Sequence, residues 1–224
     1  MAVAMNAGAL RGARAVEAGG AATESMGGVA VIVLAILALI GVAPRILNPV
    51  AGIVFGLAFI VEGAAIAARH ASLLEGTTET TGAQTLEVGG GVTIELTVGA
   101  AAVVLGVLSL IGVVPAILMS ALVTAAGAGL ILSAGSVQRL NEVQTNLASN
   151  VTPQRASVAH AATSSAAGVQ FLAGVAVTVL GILGLTRTGA PLILSSVGLL
   201  VLGCAITLSG TALASRMLRL VQGR

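Results

Sequence analysis

The sequence predicts an all-α integral membrane protein whose six transmembrane helices form three repeated helical hairpins with a pseudo-threefold arrangement. Two observations carry this. Hydrophobic residues make up 57% of the 224 residues and charged residues 8%, with a mean hydropathy of +1.09, a composition far from that of a soluble domain. The chain also repeats itself around three prolines. Val33-Leu34-Ala35-Ile36-Leu37 leads to Gly41-Val42-Ala43-Pro44, Val104-Leu105-Gly106-Val107-Leu108 to Gly112-Val113-Val114-Pro115, and Val179-Leu180-Gly181-Ile182-Leu183 to Gly189-Ala190-Pro191.

The matches continue beyond each proline. Ile46-Leu47, Ile117-Leu118 and Ile193-Leu194 follow at once, a glycine stands twelve residues on (Gly56, Gly127, Gly203), and a polar residue eighteen on (Glu62, Ser133, Ser209). Agreement at so many offsets marks an internal repeat of about 70–75 residues. The turn chemistry agrees. Glycine closes a helix in a left-handed cap, and proline opens the next, where its missing N–H would be unpaired anyway. The tips are therefore Gly41 to Pro44, Gly112 to Pro115 and, with one residue inserted, Gly189 to Pro191.

In chain order the reading gives an N-terminal tail (1–23), hairpin 1 (24–70), a linker (71–94), hairpin 2 (95–139), a linker (140–168), hairpin 3 (169–216) and a C-terminal tail (217–224). Arg11, Arg14 and Glu17 share one face of a short helix in the first tail, which either lies along the membrane surface or frays. The first linker holds Gly89-Gly90-Gly91, expected as a flexible joint. Helix four is expected to run on into water beyond Arg139. Several spans are near the lower limit for crossing the hydrocarbon, so they stand upright or thin the bilayer locally. No cleavable signal peptide is expected, because the apolar run near Ala30 has no basic residue directly before it.

Sidedness follows from the arginines. Eight of the ten fall in the tails and linkers or at their edges, and only Arg45 and Arg187 lie at tips. The positive-inside rule places both termini in the cytoplasm. A formal charge of +2 on scattered arginines forms no basic stripe, which excludes nucleic acid as a partner.

Glu62 is the most informative side chain, because a carboxylate in an apolar segment is costly. Glu24 and Glu95 stand twenty residues before their prolines, and Gln170 twenty-one before Pro191, so they match Glu62, Ser133 and Ser209 in depth. The six form a candidate polar ring about 27 Å from the tips at 1.5 Å per residue, near the cytoplasmic interface. Two explanations stand. Glu24 and Glu95 could open helices, where the dipole favours a carboxylate, with Glu62 paired or reaching water. Alternatively, closely placed carboxylates could share a proton and handle protons or solute.

His70 and His160 each stand alone, too isolated for a metal site or haem ligation. The single cysteine, Cys204, reads as a small buried filler. No phosphate loop, nucleophile elbow or metal motif is present, so no catalytic residue, cofactor or metal is expected. Gly52, Gly56, Gly127 and Gly203 are read as helix-packing positions, Gly52 and Gly56 as a small-xxx-small face. Three phenylalanines with no Trp or Tyr leave no aromatic belt.

The three hairpins, with Gly-x-x-Pro at the first two tips and Gly-x-Pro at the third, Leu/Ile/Val/Gly-rich arms and Arg-ended second helices, resemble the HdeD-like family of six-span bacterial membrane proteins. The resemblance covers about residues 28–69, 99–139 and 174–216. It implies a cytoplasmic-membrane protein linked to acid or general stress resistance, without catalytic residues to carry over. The expectation is a non-enzymatic stress-related or scaffold protein that contacts the lipid bilayer and forms a homo-oligomer. The alternatives are a small channel or transporter gated at the Glu24/Glu62/Glu95 level, and an accessory subunit of a larger membrane complex.

Overall fold

The computed structural model describes Thr23 and residues 25–74, 82–147, 153–186 and 190–222; side chains are described for Thr23 and residues 25–64, 94–134, 168–186 and 190–209. Among these residues there are six helices and no strands: α1 (Ser25–Leu39), α2 (Pro44–Leu74), α3 (Gly82–Leu110), α4 (Pro115–Leu147), α5 (Pro153–Leu185) and α6 (Pro191–Gln222). Four helices begin at a proline, whose fixed φ and absent N–H suit the first helical position. Four contain stretches long and apolar enough to cross a membrane: Pro44–Ala64, Pro115–Ala134, Gly168–Leu185 and Pro191–Ser209. The apolar stretches of α1 and α3, Ser25–Leu39 and Ile94–Leu110, are shorter. The chain is an all-helical, multi-pass membrane protein.

The first two tips have the same backbone. Gly41 and Gly112 take φ of 91° and 92°, which only glycine adopts without cost. The Gly41 N–H donates to the Ala38 carbonyl and the Val42 N–H to that of Leu37, the paired bonds of a Schellman motif. Gly112 and Val113 repeat this on Ser109 and Leu108. The residue before each proline, Ala43 or Val114, has φ of 38° or 34°, and its carbonyl accepts two N–H groups of the next helix. At the third tip Ala190 accepts the same two bonds, from Ile193 and Leu194; residues 187–189, and with them the tip glycine Gly189, lie outside the described residues.

The helices run further than the apolar pattern indicates. α3 passes unbroken through Gly89-Gly90-Gly91, so the expected joint is helical. Glycine costs about 1 kcal/mol per residue in a helix interior, which the rest of a long, packed helix can offset. α2 runs to Leu74 and α5 begins at Pro153, each within an expected linker, and residues 75–81 and 148–152 lie outside the described residues. α4 does continue, to Leu147. Residues 1–22 of the N-terminal tail and Glu24 also lie outside the described residues.

The second arms α2, α4 and α6 touch one another at the centre, while α2 packs on α3 and α4 on α5 more extensively than helices joined by a tight turn do. Lipid tails are as apolar as leucine, so close packing rather than water exclusion must hold such helices together. Backbone approach supplies it at three crossings. A Cβ on Gly56 would stand 2.6 Å from the Gly99 carbonyl oxygen, and one on Gly99 2.7 Å from that of Gly56. Gly127 and Gly174 face each other in the same way at 2.8 Å, and Gly203 and Gly28 at 2.9 Å. The crossings join α2 to α3, α4 to α5 and α6 back to α1. Gly52 instead faces Leu122 on α4, so the two glycines of Gly52-x-x-x-Gly56 serve different neighbours.

One apolar cluster fills the interior, drawing on all six helices from Val31 and Ala35 of α1 to Ile206 of α6. Fifteen residues past their prolines, Phe59, Leu130 and Ile206 are at most 2% exposed, and eleven past, Phe55, Ala126 and Leu202 are fully buried. Phe55 and Phe59 stack with centroids 5.2 Å apart. Cys204 is exposed, correcting its expected burial: Gly203 before it faces α1 and Ala205 after it the core, which turns Cys204 outward.

Candidate functional site

Hydroxyls in an apolar helix must find acceptors locally, and here they bond back along their own helix. Ser120 donates to the Ala116 carbonyl, Thr124 to Ser120, Thr178 to Gly174, Ser195 to Pro191 and Thr207 to Gly203, at 2.7–2.9 Å. These bonds neutralise polarity without creating a site. Two levels of the bundle go further and link different helices.

The first is the level of the predicted polar ring. Gln170 Nε2 of α5 donates to Ser133 Oγ of α4 at 3.4 Å, and Ser133 donates to the Leu130 carbonyl at 3.2 Å. Glu95 is only 5% exposed, with its Cβ 3.3 Å from where a Cβ on Gly63 would be, so it sits on α2 beside the residue that follows Glu62. Glu62 is half-buried. Ser209 is likewise half-buried and donates to the Ile206 carbonyl at 2.9 Å. The structure therefore brings Ser133 to Gln170 and Glu95 to the Glu62–Gly63 turn of α2, along the same helix pairs as two of the glycine crossings.

Glu95 does not open a helix. It lies thirteen residues into α3, which begins at Gly82, so the dipole at a helix start cannot account for it. Its burial instead depends on Gly63, whose missing side chain leaves room for the carboxylate stem. A buried carboxylate within an apolar stretch is a place where a proton can be held. The apolar layer Phe59, Leu130 and Ile206 closes the centre of the bundle a turn nearer the tips.

The second level lies near the tips and has no counterpart in the sequence reading. Asn48 of α2 is fully buried; its Nδ2 donates to the Leu192 carbonyl of α6 at 3.1 Å, and its Oδ1 accepts from Ser196 Oγ at 2.9 Å. Ser196 also lies 2.8 Å from the Leu192 carbonyl. Ser109, Ser120 and Ser195 are buried at similar depth. Asn48 sits four residues past Pro44, whereas Met119 and Ser195 stand four past Pro115 and Pro191, so no shared residue type signalled it; an Asn inside an apolar run was the available clue. The fourteen residues between Asn48 and Glu62 separate the two levels by about 21 Å.

Among the described residues no three His, Cys, Asp or Glu side chains gather at one place. No protein-family model matches this chain, and no curated protein or solved structure shows significant similarity to it.

Proposed function

We propose that this chain is a non-enzymatic scaffold of the cytoplasmic membrane, HdeD-like in its hairpins and stress-related in role. In this reading it spans the bilayer six times as three repeated hairpins about a pseudo-threefold axis, keeps both termini in the cytoplasm, and works as a homo-oligomer. The observation that carries the scaffold role is the filled centre. Side chains of α2, α4 and α6 interdigitate there at successive levels, with Phe55, Phe59, Leu130, Leu202 and Ile206 each at most 2% exposed. An aqueous path along the axis would have to displace them. Three reciprocal glycine crossings at matching offsets support the repeat and its closure of α6 onto α1. The HdeD-like assignment rests on the hairpin pattern alone.

The test is native mass in a mild detergent, followed by proton and solute flux in vesicles. A homo-oligomer without flux supports the scaffold. A particle of fixed stoichiometry with other polypeptides would make the chain an accessory subunit. A second reading, a small proton or solute transporter, is favoured by Glu95, a nearly buried carboxylate midway along α3. Flux that disappears in a folded Glu95→Gln variant would select it.

A further inference from the structure

The tips present an unusual surface. Turns between membrane helices ordinarily carry Asn, Asp, Ser or other polar residues that face water. The first two tips here read Leu39-Ile40-Gly41-Val42-Ala43 and Leu110-Ile111-Gly112-Val113-Val114, with no polar side chain in either. Ile40 and Ile111 are each 69% exposed, and Val42, Val113 and Val114 are about half exposed. The apolar stripe on the outer face of α1, Val29, Val33, Ile36 and Ile40, runs without a polar break into Val42; on α3 the stripe through Val104 and Val107 runs into Ile111. The face that meets lipid along the helices thus continues over the rim of the bundle.

The N–H donors of these turns are mostly satisfied within the protein. Peptide groups withdrawn from water must be paired internally. The N–H groups of Ile40, Gly41 and Val42 all donate to carbonyls of α1, those of Ile111, Gly112 and Val113 to carbonyls of α3, and Pro44 and Pro115 have no N–H to satisfy. The carbonyls of Gly41, Val42, Gly112 and Val113 accept no backbone bond and so keep the turns at the hydrated headgroup boundary, short of the acyl core. Beside the first of these tips stands Arg45, an exposed cation. A long arginine stem lies along apolar surface while its guanidinium reaches phosphate.

We propose that the first two tips of this protein are immersed in the lipid, with Ile40, Val42, Ile111 and Val113 at the boundary between acyl chains and headgroups and Arg45 against headgroup phosphate. The occupant of this apolar face is the bilayer itself, because the face is continuous with the lipid-facing belt and carries charge complementary to phosphate. The inference rests on the membrane reading above and deepens it. The α1–α2 and α3–α4 turns end inside one interface instead of projecting through it.

The experiment places single cysteines at the tips, Val42→Cys and Val113→Cys, in a Cys204→Ser background, with Thr78→Cys in the linker as control. Each protein is reconstituted in vesicles of phosphatidylethanolamine and phosphatidylglycerol. Tip cysteines are expected to lose reaction with a membrane-impermeant maleimide while reacting with a permeant one. An environment-sensitive dye attached there is expected to shift to apolar emission and to be quenched by lipids carrying a nitroxide high on the acyl chain. Quenching by nitroxide phosphatidylglycerol is expected to exceed that by nitroxide phosphatidylcholine, and Arg45→Ala to reduce the excess. Full impermeant labelling with water-like emission at the tips, while Thr78→Cys labels only in the vesicles that expose its side, overturns the proposal and leaves the membrane reading standing. Protection without lipid quenching overturns it too, since a protein would then cover the face. If all three sites label alike and none is quenched, the membrane reading itself fails.

Discussion

Gly56 and Gly99 meet across the α2–α3 crossing so closely that a Cβ on either would stand within 2.7 Å of the other's carbonyl oxygen. Backbone cannot retreat as a flexible side chain can, so the helices would have to part. We expect Gly56→Ala to destabilise the protein by about 1–3 kcal/mol, the usual cost of overpacking. Gly127→Ala and Gly28→Ala should do the same at their crossings. Gly168→Ala is the control: nothing stands within 4 Å of its Cβ position, and alanine there should be neutral or stabilise by up to about 1 kcal/mol. Thermal unfolding in detergent reads all four.

The glycines show how much of the fold was legible. Gly56, Gly127 and Gly203 stood out because they recur twelve residues past their prolines, and the tips because Gly41 and Pro44 each have a definite backbone role. Their partners Gly28, Gly99 and Gly174 share an offset too, but on first arms already rich in small residues, where nothing local distinguishes a crossing glycine from any other. The polar levels were half legible. Glu62 and Glu95 are conspicuous in apolar sequence, yet which helix each meets is a tertiary fact. The extent of α3 was misread because three glycines signal a break locally, whereas the neighbouring turns decide the matter. Cys204 was misread because burial in a membrane helix depends on which face turns inward, and α6 is apolar on both.

Asn48 and Ser196 join α2 and α6 through a direct hydrogen bond between buried side chains. Interhelical hydrogen bonds in membrane proteins contribute about 0.6 kcal/mol on average and up to about 1.7. A double-mutant cycle with Asn48→Ala and Ser196→Ala should give a coupling energy in that range. Zero coupling would mean that the Leu192 carbonyl holds each side chain independently.

Val114 carries a β-branched side chain at φ of 34°, where such residues are strained. Local strain of this kind costs about 1–3 kcal/mol, and glycine removes it at an entropic cost of about 0.5–1 kcal/mol. Val114→Gly should therefore raise the unfolding temperature, and Ala43→Gly should do so by less, since alanine lacks the branch. The opposite change, Gly41→Ala, places a Cβ at φ of 91° and should lower it.

Cys204 faces outward within the membrane-spanning stretch of α6, so in native, detergent-solubilised protein its thiol should be modified by a small membrane-permeant maleimide and spared by an impermeant one. Mass spectrometry after brief labelling reads the modified fraction. In an oligomer whose contact surface includes this face of α6, the same thiol would be protected until the oligomer dissociates, so the labelling also reports where subunits meet.

Phe59 belongs to the layer that closes the centre of the bundle, together with Leu130 and Ile206, and it stacks on Phe55. Truncating a buried phenylalanine typically costs about 3–5 kcal/mol, part of it from the void left behind. Phe59→Ala should accordingly lower thermal stability more than any tip or hydroxyl substitution. Its effect on permeability separates the two readings of the bundle. For a scaffold, vesicles containing wild type and Phe59→Ala are equally tight to protons, because Phe55, Ala126 and Leu202 still fill the next level. For a channel gated near Glu62 and Glu95, the layer is the barrier behind the gate, and thinning it raises flux above that of wild type. Equal, background-level flux in both proteins would leave the packed centre as the core of a scaffold.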